Sequence, residues 1–173
     1  RYLSSAASDV YKRQKHGMIL TAGLGKRMQP LTNKKPKPLL EIGGSTLLER
    51  AINLLINHGV EEITVNTHHL ANQIEKFISD FKSQAKIKIS SEKDLLLDTG
   101  GGVKKGTKEF NDNPFFVINP DTLWSNKYSE EVQSLEKEYF TNKRPCLLLV
   151  KKELSLDNSC LLYTSDAADD RYR

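Results

Sequence analysis

Short apolar runs alternate with longer amphipathic runs over residues 15–150, and this alternation is the strongest constraint on the fold. The short runs predict buried strands. The longer runs repeat their apolar residues every three or four positions, which predicts helices. Strands that alternate with helices are typical of βαβ units on a parallel sheet. No repeat, linker or domain boundary interrupts the pattern, so we expect one α/β domain.

The predicted elements can be read directly from the sequence. The strands are GMILTAG, EEITVNTHH, AKIKIS, PFFVINPD and CLLLVKK, with a short strand-like piece in PLLEIGG. The helices are TLLERAINLLINHG, LANQIEKFISDF, a glycine-rich start in TGGGVKKGTKEF, and SEEVQSLEKEYF. Ser45 and Thr46 can cap the first helix, and Gly59 can end it.

Polar residues follow four of the predicted strands. They are residues 22–27, 66–69, 90–93 and 119–121. In open α/β sheets, ligands bind beyond the carboxyl ends of the strands. We therefore expect all four segments to converge on one crevice, which would hold the functional site.

The two ends of the chain carry a signal that is unrelated to folding. Ser4–Gln14 and Cys160–Asp170 can be encoded by the complementary strands of one DNA segment, read one base out of phase. Natural termini do not share such a relationship, and the segment resembles a sequencing adapter. We therefore expect residues 1–14 and 160–173 to be adapter-derived. Residues 15–159 would then be the N-terminal part of a domain.

Composition argues against several classes of protein. The formal net charge is +4 without a clustered basic face in the sequence, so we expect no nucleic-acid partner. The apolar runs are far shorter than the ~20 residues of a membrane span. Outside the expected adapter segments the sequence has one cysteine, Cys146, which excludes a disulfide framework and favours a reducing, cytoplasmic compartment. No feature indicates the oligomeric state.

The stretch TAGLGKRM, residues 21–28, is a glycine-rich turn after the first strand. A P-loop requires G-x-x-x-x-G-K-[ST], but Leu20 stands at the first glycine position and Arg27 at the Ser/Thr position. The dinucleotide fingerprint G-x-G-x-x-G requires a third glycine where this chain has Met28. The spacing is instead G-x-G-x-R-M-x-P-L-T, followed by P-K-P-L.

This longer pattern suits the binding of a polyphosphate. Gly23 and Gly25 let the backbone approach the phosphates and offer N–H donors. Arg27 supplies a planar fork for phosphate oxygens. Lys37 is a point charge on a backbone stiffened by a proline on each side. Two cations in one crevice suit phosphoryl transfer. The alternative is a glycine turn with solvated basic residues, which the ordered combination disfavours.

The segment MILTAGLGKRMQPLTNKKPKPLLEIGGSTLLERAI resembles the opening of the sugar-1-phosphate nucleotidyltransferases, whose pattern reads LAAGxGxRMxPLTxxxPKPL. Thr21 replaces the usual first alanine. The resemblance continues through VNTHHLANQI, ISSEKDLLLDTGGGVKKG and PFFVINPDTLW and covers residues 15–146. These blocks are most similar to the N-acetylmuramate-1-phosphate uridylyltransferase branch.

The resemblance implies a Rossmann-like, three-layer α/β sandwich with a mostly parallel sheet, here truncated at its C-terminus. It implies a Mg²⁺-dependent enzyme whose partners are a nucleoside triphosphate, UTP favoured, and a sugar 1-phosphate, N-acetylmuramate 1-phosphate favoured. The products would be a nucleotide sugar and pyrophosphate. The alternatives are a mannose-1-phosphate guanylyltransferase and a non-catalytic, nucleotide-sensing domain of the same fold.

The resemblance also implies roles for individual residues. Arg27 and Lys37 would be catalytic, and Asp121 would bind the metal together with substrate phosphates. The implied nucleotide-binding residues are Ala22, Gly23, Leu24, Gly25, Lys26, Arg27, Asn66, Asp98, Thr99 and Gly100. Asp98 stands where several relatives have glycine, so we expect only its backbone to make contact. Pro120 replaces the glycine of the usual Gly-Asp pair.

Overall fold

The computed structural model of the protein describes residues 13–142. Its strands are β1 (His16–Leu20), β2 (Glu41–Ile42), β3 (Ser45–Thr46), β4 (Glu62–Thr67), β5 (Lys86–Ser91) and β6 (Phe115–Ile118). Its helices are α1 (Leu47–Asn57), α2 (Ala71–Asp80), α3 (Asp98–Gly106) and α4 (Ser129–Asn142). Between residues 13 and 142, none of these helices combines the length and the apolar character that a membrane span requires.

Four of the strands form one parallel sheet in the order β5-β4-β1-β6. From β1 the chain crosses to β4 and then outward to β5, and it returns to the other side of β1 to form β6. The strand order therefore reverses at β1, which is the kind of switch point where open α/β sheets bind ligands. β2 and β3 pair with each other in a separate antiparallel ladder.

Helices cover both faces of the parallel sheet. One buried core contains Ile52 of α1, Ile74 of α2 and Val132 of α4. On the opposite face α3 packs closely, since a Cβ atom built at Gly106 would lie 2.7 Å from Cε of Met18. Adjacent strand residues point to opposite faces, so β1 contributes to both layers. The predicted three-layer α/β fold is confirmed.

Local sequence accounts for the bounds of α1. The Thr46 hydroxyl oxygen accepts a hydrogen bond from the Glu49 N–H at 3.0 Å, which caps the first turn as predicted. Gly59, two residues beyond the helix, has a φ of 82° and turns the chain toward β4. The capped helix lays its apolar side on β1, where a Cβ atom at Gly17 would lie 2.8 Å from Leu55.

One predicted strand is shorter than expected, and another cannot be compared with the structure. In PLLEIGG only Glu41–Ile42 is a strand, because Lys37–Leu39 form a 3₁₀ turn instead. The strand predicted over CLLLVKK, with Cys146, lies outside the described residues. The remaining predicted strands and helices are confirmed, with bounds shifted by a few residues.

His58, at the end of α1, links the stability of the fold to pH. The ring is half-buried, and its Nε2 atom has no hydrogen-bond partner among residues 13–142. Burial lowers the pKa of His58 below its ordinary value of 6.5, and the charge of Arg13 lowers it further. The unfolded chain therefore binds a proton at His58 more readily than the folded chain does.

We expect the free energy of unfolding to fall as pH drops below about 6.5, because protonation of His58 then favours the unfolded chain. The contribution of His58 is complete above that pH. His58→Gln should flatten the dependence on pH between about 7.5 and 5.5. Urea denaturation of both proteins across this range measures the effect, and parallel curves would contradict it.

Candidate functional site

A cleft of about 410 Å³ opens at the carboxyl ends of β1 and β6. It is lined by residues 20–23, 25–28, 37–38, 66, 96, 98–99 and 119–121. β6 runs beside β1 in parallel, so the loops that leave the two strands face each other. The cleft therefore lies at the switch point of the sheet, where a ligand is expected.

The cleft brings together most of the site residues expected from the sequence. Those that line it are Ala22, Gly23, Gly25, Lys26, Arg27, Lys37, Asn66, Asp98, Thr99 and Asp121. Leu24 and Gly100 are not part of its lining: Leu24 is half-buried within the glycine loop, and Gly100 is exposed in the first turn of α3. The binding and catalytic roles of all these residues stay predictions.

The expected convergence is wrong in two parts. Of residues 66–69 only Asn66 lines the cleft, and residues 90–93, at the end of β5, do not line it. β5 is at the edge of the sheet and is separated from β1 by β4, so its end lies two strands away from the glycine loop. The segment that leads into α3 reaches the cleft instead, through Leu96, Asp98 and Thr99.

The two glycines of the loop serve different purposes. Gly25 has a φ of 64°, and its carbonyl accepts a hydrogen bond from the Thr32 hydroxyl at 2.8 Å. A Cβ atom at Gly25 would lie 2.9 Å from Cγ2 of Thr32. At Gly23 a Cβ atom would meet none of the described residues within 4 Å. The exposed backbone at Gly23 thus leaves open space into which a phosphate group could approach.

Cationic side chains surround this open space. Lys26 and Arg27 are exposed on a short 3₁₀ turn. The backbone at Lys37 is held by buried prolines on each side and by a hydrogen bond from the Leu40 N–H to the Lys37 carbonyl at 3.1 Å. The site thus combines one cationic side chain on a rigid backbone, that of Lys37, with two cationic side chains on an exposed turn, those of Lys26 and Arg27.

Lys37 forms an ion pair with Asp121 across the cleft. Its Nζ atom lies 2.8 Å from Oδ2 of Asp121, and the two side chains are 27% and 42% exposed. Partly exposed pairs of this kind contribute only about 0–1 kcal/mol to stability. The pair therefore holds two predicted functional groups close together without being important for folding.

A carboxylate that stabilises a cation at this point also suits a divalent ion. Within residues 13–142 no group of three or more His, Cys, Asp or Glu side chains could hold a metal by itself. Mg²⁺ commonly takes one or two carboxylates and completes its coordination with substrate phosphates and water. The chemistry of Asp121 fits that arrangement.

Asn66 is buried beneath the cleft, and both the oxygen and the nitrogen of its side-chain amide form hydrogen bonds. Its Oδ1 atom accepts a hydrogen bond from the Thr21 N–H at 2.7 Å, and the Thr21 hydroxyl donates to the Asn66 backbone carbonyl. Its Nδ2 atom donates to Oε1 of Glu92 at 2.8 Å. Sequence reasoning missed Glu92. The only signal was a carboxyl group directly after a predicted strand, within residues 90–93.

Other polar and aromatic residues at the strand ends contact protein groups. His68 Nδ1 lies 2.8 Å from the Glu92 carbonyl, whereas His69 Nε2 lies 3.1 Å from the Thr32 carbonyl. The adjacent histidines therefore contact different segments. Trp124 donates a hydrogen bond from Nε1 to the Asn119 carbonyl at 2.8 Å and packs against the core.

The chain is similar in sequence to known proteins. A sequence model of the nucleotidyl transferase family matches residues 16–153. N-acetylmuramate alpha-1-phosphate uridylyltransferase of Caulobacter vibrioides is 34% identical over 146 residues, which are 82% of this chain and 60% of that protein. Mannose-1-phosphate guanyltransferase of Hypocrea jecorina is 32% identical over 117 residues, which are 66% of this chain and 32% of that protein.

A solved structure supports the fold. UDP-glucose pyrophosphorylase from Acinetobacter baumanii superposes with a TM-score of 0.65 at 19% identity, over 75% of this chain and 54% of that one. The chain thus spans between about a third and three fifths of the length of these three proteins.

Gly25→Ala should destabilise the loop, whereas Gly23→Ala should not. Alanine at the left-handed backbone of position 25 costs about 1–2 kcal/mol, and its methyl group would also press on Thr32. Position 23 has room for a methyl group. Thermal denaturation of both variants measures the difference, and equal melting temperatures would contradict this account of the loop.

Proposed function

The chain belongs to the nucleotidyl transferase family, and on this premise we propose that it forms the nucleotide-binding part of a sugar-1-phosphate nucleotidyltransferase. The enzyme would join a nucleoside triphosphate to a sugar 1-phosphate and release pyrophosphate. The observation that carries the proposal is the cleft itself. An open glycine loop, three cationic residues and two acidic residues line the same space, and one of the acidic residues, Asp121, is paired with Lys37.

The proposed reaction needs charge neutralisation more than covalent help from the protein. A phosphate oxygen of the sugar 1-phosphate would form a bond to the α-phosphorus of the triphosphate. The bond from that phosphorus to the bridging oxygen of the β-phosphate would break, and pyrophosphate would leave with its electron pair. Catalysis of such a transfer depends mainly on positioning and on electrostatic stabilisation.

The residues of the cleft suit these two tasks. Backbone N–H groups around Gly23 would bind phosphate oxygens. Arg27, with its planar fork of donors, would bind the same charged groups from the mouth of the cleft. Lys37, on its rigid backbone, would place a positive charge where the transferred and leaving phosphates carry negative charge.

Asp121 would hold Mg²⁺ together with phosphate oxygens of the substrate. When bound there, the ion would supply further neutralisation of the phosphate charge. Because Lys37 and Asp121 contact each other at 2.8 Å, Lys37 would turn from the carboxylate to the phosphates as the ion and the triphosphate enter.

Among possible substrates, we favour UTP and N-acetylmuramate 1-phosphate. The similarity to the Caulobacter vibrioides uridylyltransferase, which extends over 82% of this chain, supports this choice. GTP with mannose 1-phosphate is the second candidate, supported by the 32% identity to the Hypocrea jecorina guanyltransferase.

Pyrophosphate release decides between these substrates. The purified full-length enzyme, of which this chain would form the nucleotide-binding part, should release pyrophosphate when UTP, N-acetylmuramate 1-phosphate and Mg²⁺ are present together. Release only with GTP and mannose 1-phosphate would support the guanylyltransferase instead. Nucleotide binding without release from any pair would support the non-catalytic, nucleotide-sensing alternative.

Lys37→Ala should lower the rate of pyrophosphate release on the order of 100-fold, because it removes a charge aimed at the phosphates. Lys35→Ala is a matched control, since Lys35 also pairs with a carboxylate, Glu41 at 2.7 Å, but does not line the cleft. Both variants should retain the wild-type melting temperature to within a few degrees. Equal rates for the two variants would refute the role proposed for Lys37.

A further inference from the structure

Glu92 is a carboxyl group buried at the end of β5, with 1% of its surface exposed. Both of its oxygens accept hydrogen bonds: Oε1 from Asn66 Nδ2 at 2.8 Å, and Oε2 from the Leu97 N–H at 3.0 Å. A buried carboxyl group is costly unless hydrogen bonds compensate it. Its two oxygens are thus committed to two different segments of the protein.

These two segments contribute different residues to the cleft. Through Asn66, whose Oδ1 accepts from the Thr21 N–H at 2.7 Å, one oxygen of Glu92 is tied to the start of the glycine loop. The other oxygen is tied to Leu97, which immediately precedes Asp98 and Thr99 in the cleft lining. One side chain therefore links the glycine loop to the entry to α3.

The packing of α3 shows that this link has little freedom to move. A Cβ atom at Gly102 would lie 2.9 Å from Asn66 Nδ2 and 2.9 Å from Glu92 Oε1. The helix therefore lies directly on the Asn66–Glu92 pair. Gly102 thus has a structural reason to be glycine, whereas a Cβ atom at Gly100 would have no neighbour within 4 Å among residues 13–142.

We propose that Glu92 is a positioning residue, which keeps the phosphate-binding and base-binding sides of the cleft at the spacing of one nucleotide. The inference rests on the proposed function, in which the glycine loop binds phosphates. It adds that Asp98 and Thr99, which line the cleft and are expected to bind the nucleotide, contact its base. Glu92 itself does not line the cleft. Its effect on binding must therefore pass through Asn66 and Leu97.

The role can be tested with two ligands that use different parts of the cleft. UTP would contact both sides, whereas inorganic tripolyphosphate would contact only the glycine loop and its cations. The readout is the ratio of the dissociation constants of tripolyphosphate and UTP, measured by calorimetry on the whole chain. A residue needed only for stability would change both constants together or neither.

Glu92→Gln should lower the affinity for UTP by about 10-fold while leaving tripolyphosphate binding within about 2-fold of wild type. The amide nitrogen of the new side chain would face the Asn66 amide, donor against donor, when its oxygen still binds Leu97. Glu109→Gln is the matched control. Glu109 follows α3 and bonds to Lys88, away from the cleft lining, and its substitution should leave the ratio unchanged.

Gly102→Ala tests the same link from the side of α3. Gly102 does not line the cleft. Its new Cβ atom would lie 2.9 Å from both Asn66 Nδ2 and Glu92 Oε1, so it should displace the Glu92 side chain without removing its carboxyl group. This variant should lower the ratio in the same direction as Glu92→Gln.

Each outcome decides the proposal. A lower ratio in both Glu92→Gln and Gly102→Ala supports it. Equal changes for both ligands, or an unchanged ratio, overturn it. If Glu92→Gln does not fold, Gly102→Ala decides: a lower ratio supports the proposal, and an unchanged ratio overturns it. If the wild-type chain binds UTP no more tightly than tripolyphosphate, the cleft does not recognise the rest of the nucleotide. That result would overturn the proposed function, and this inference with it.

Discussion

The structure depends on the pairing of β1 with strands on both of its sides. β4 and β6 each run parallel to it, in registers that bring Leu20 beside Asn66 and Ile19 beside Ile118. Those pairings place the ends of three strands next to one another. The glycine loop, the Asn66 amide and the loop that carries Asp121 then open into one cleft because they continue from these ends.

Close helix packing on both faces keeps β1 in this position. On one face Gly17 leaves room for Leu55 of α1, and on the other Met18 fits against Gly106 of α3. The small residues let each helix approach the strand more closely than a side chain would allow. The site consequently lies beside a closely packed strand, while the charged side chains of Lys37 and Asp121 remain partly exposed.

Two kinds of polar contact lie around the cleft, and they differ in their exposure to solvent. The Lys37–Asp121 pair is accessible to solvent, so it can exchange partners when a charged ligand enters. The Thr21–Asn66–Glu92–Leu97 contacts are largely buried, so they are costly to break and maintain the shape of the cleft. The ion pair of Lys37 and Asp121 can therefore exchange partners, whereas the buried hydrogen bonds of Asn66 and Glu92 beneath it stay in place.

Local properties of the chain determine much of this protein. Apolar periodicity identifies the strands and helices, Thr46 and Gly59 bound α1, and the spacing of glycines, Arg27 and Lys37 indicates a phosphate site. Such features depend on neighbours within a few residues. Tertiary structure alone decided which strand ends meet. It excluded the end of β5 from the cleft, paired Lys37 with Asp121 across 84 residues of sequence, and linked Glu92 to both sides of the site. These contacts follow from strand order and helix packing, which involve the whole sheet and leave no periodic signal in the sequence.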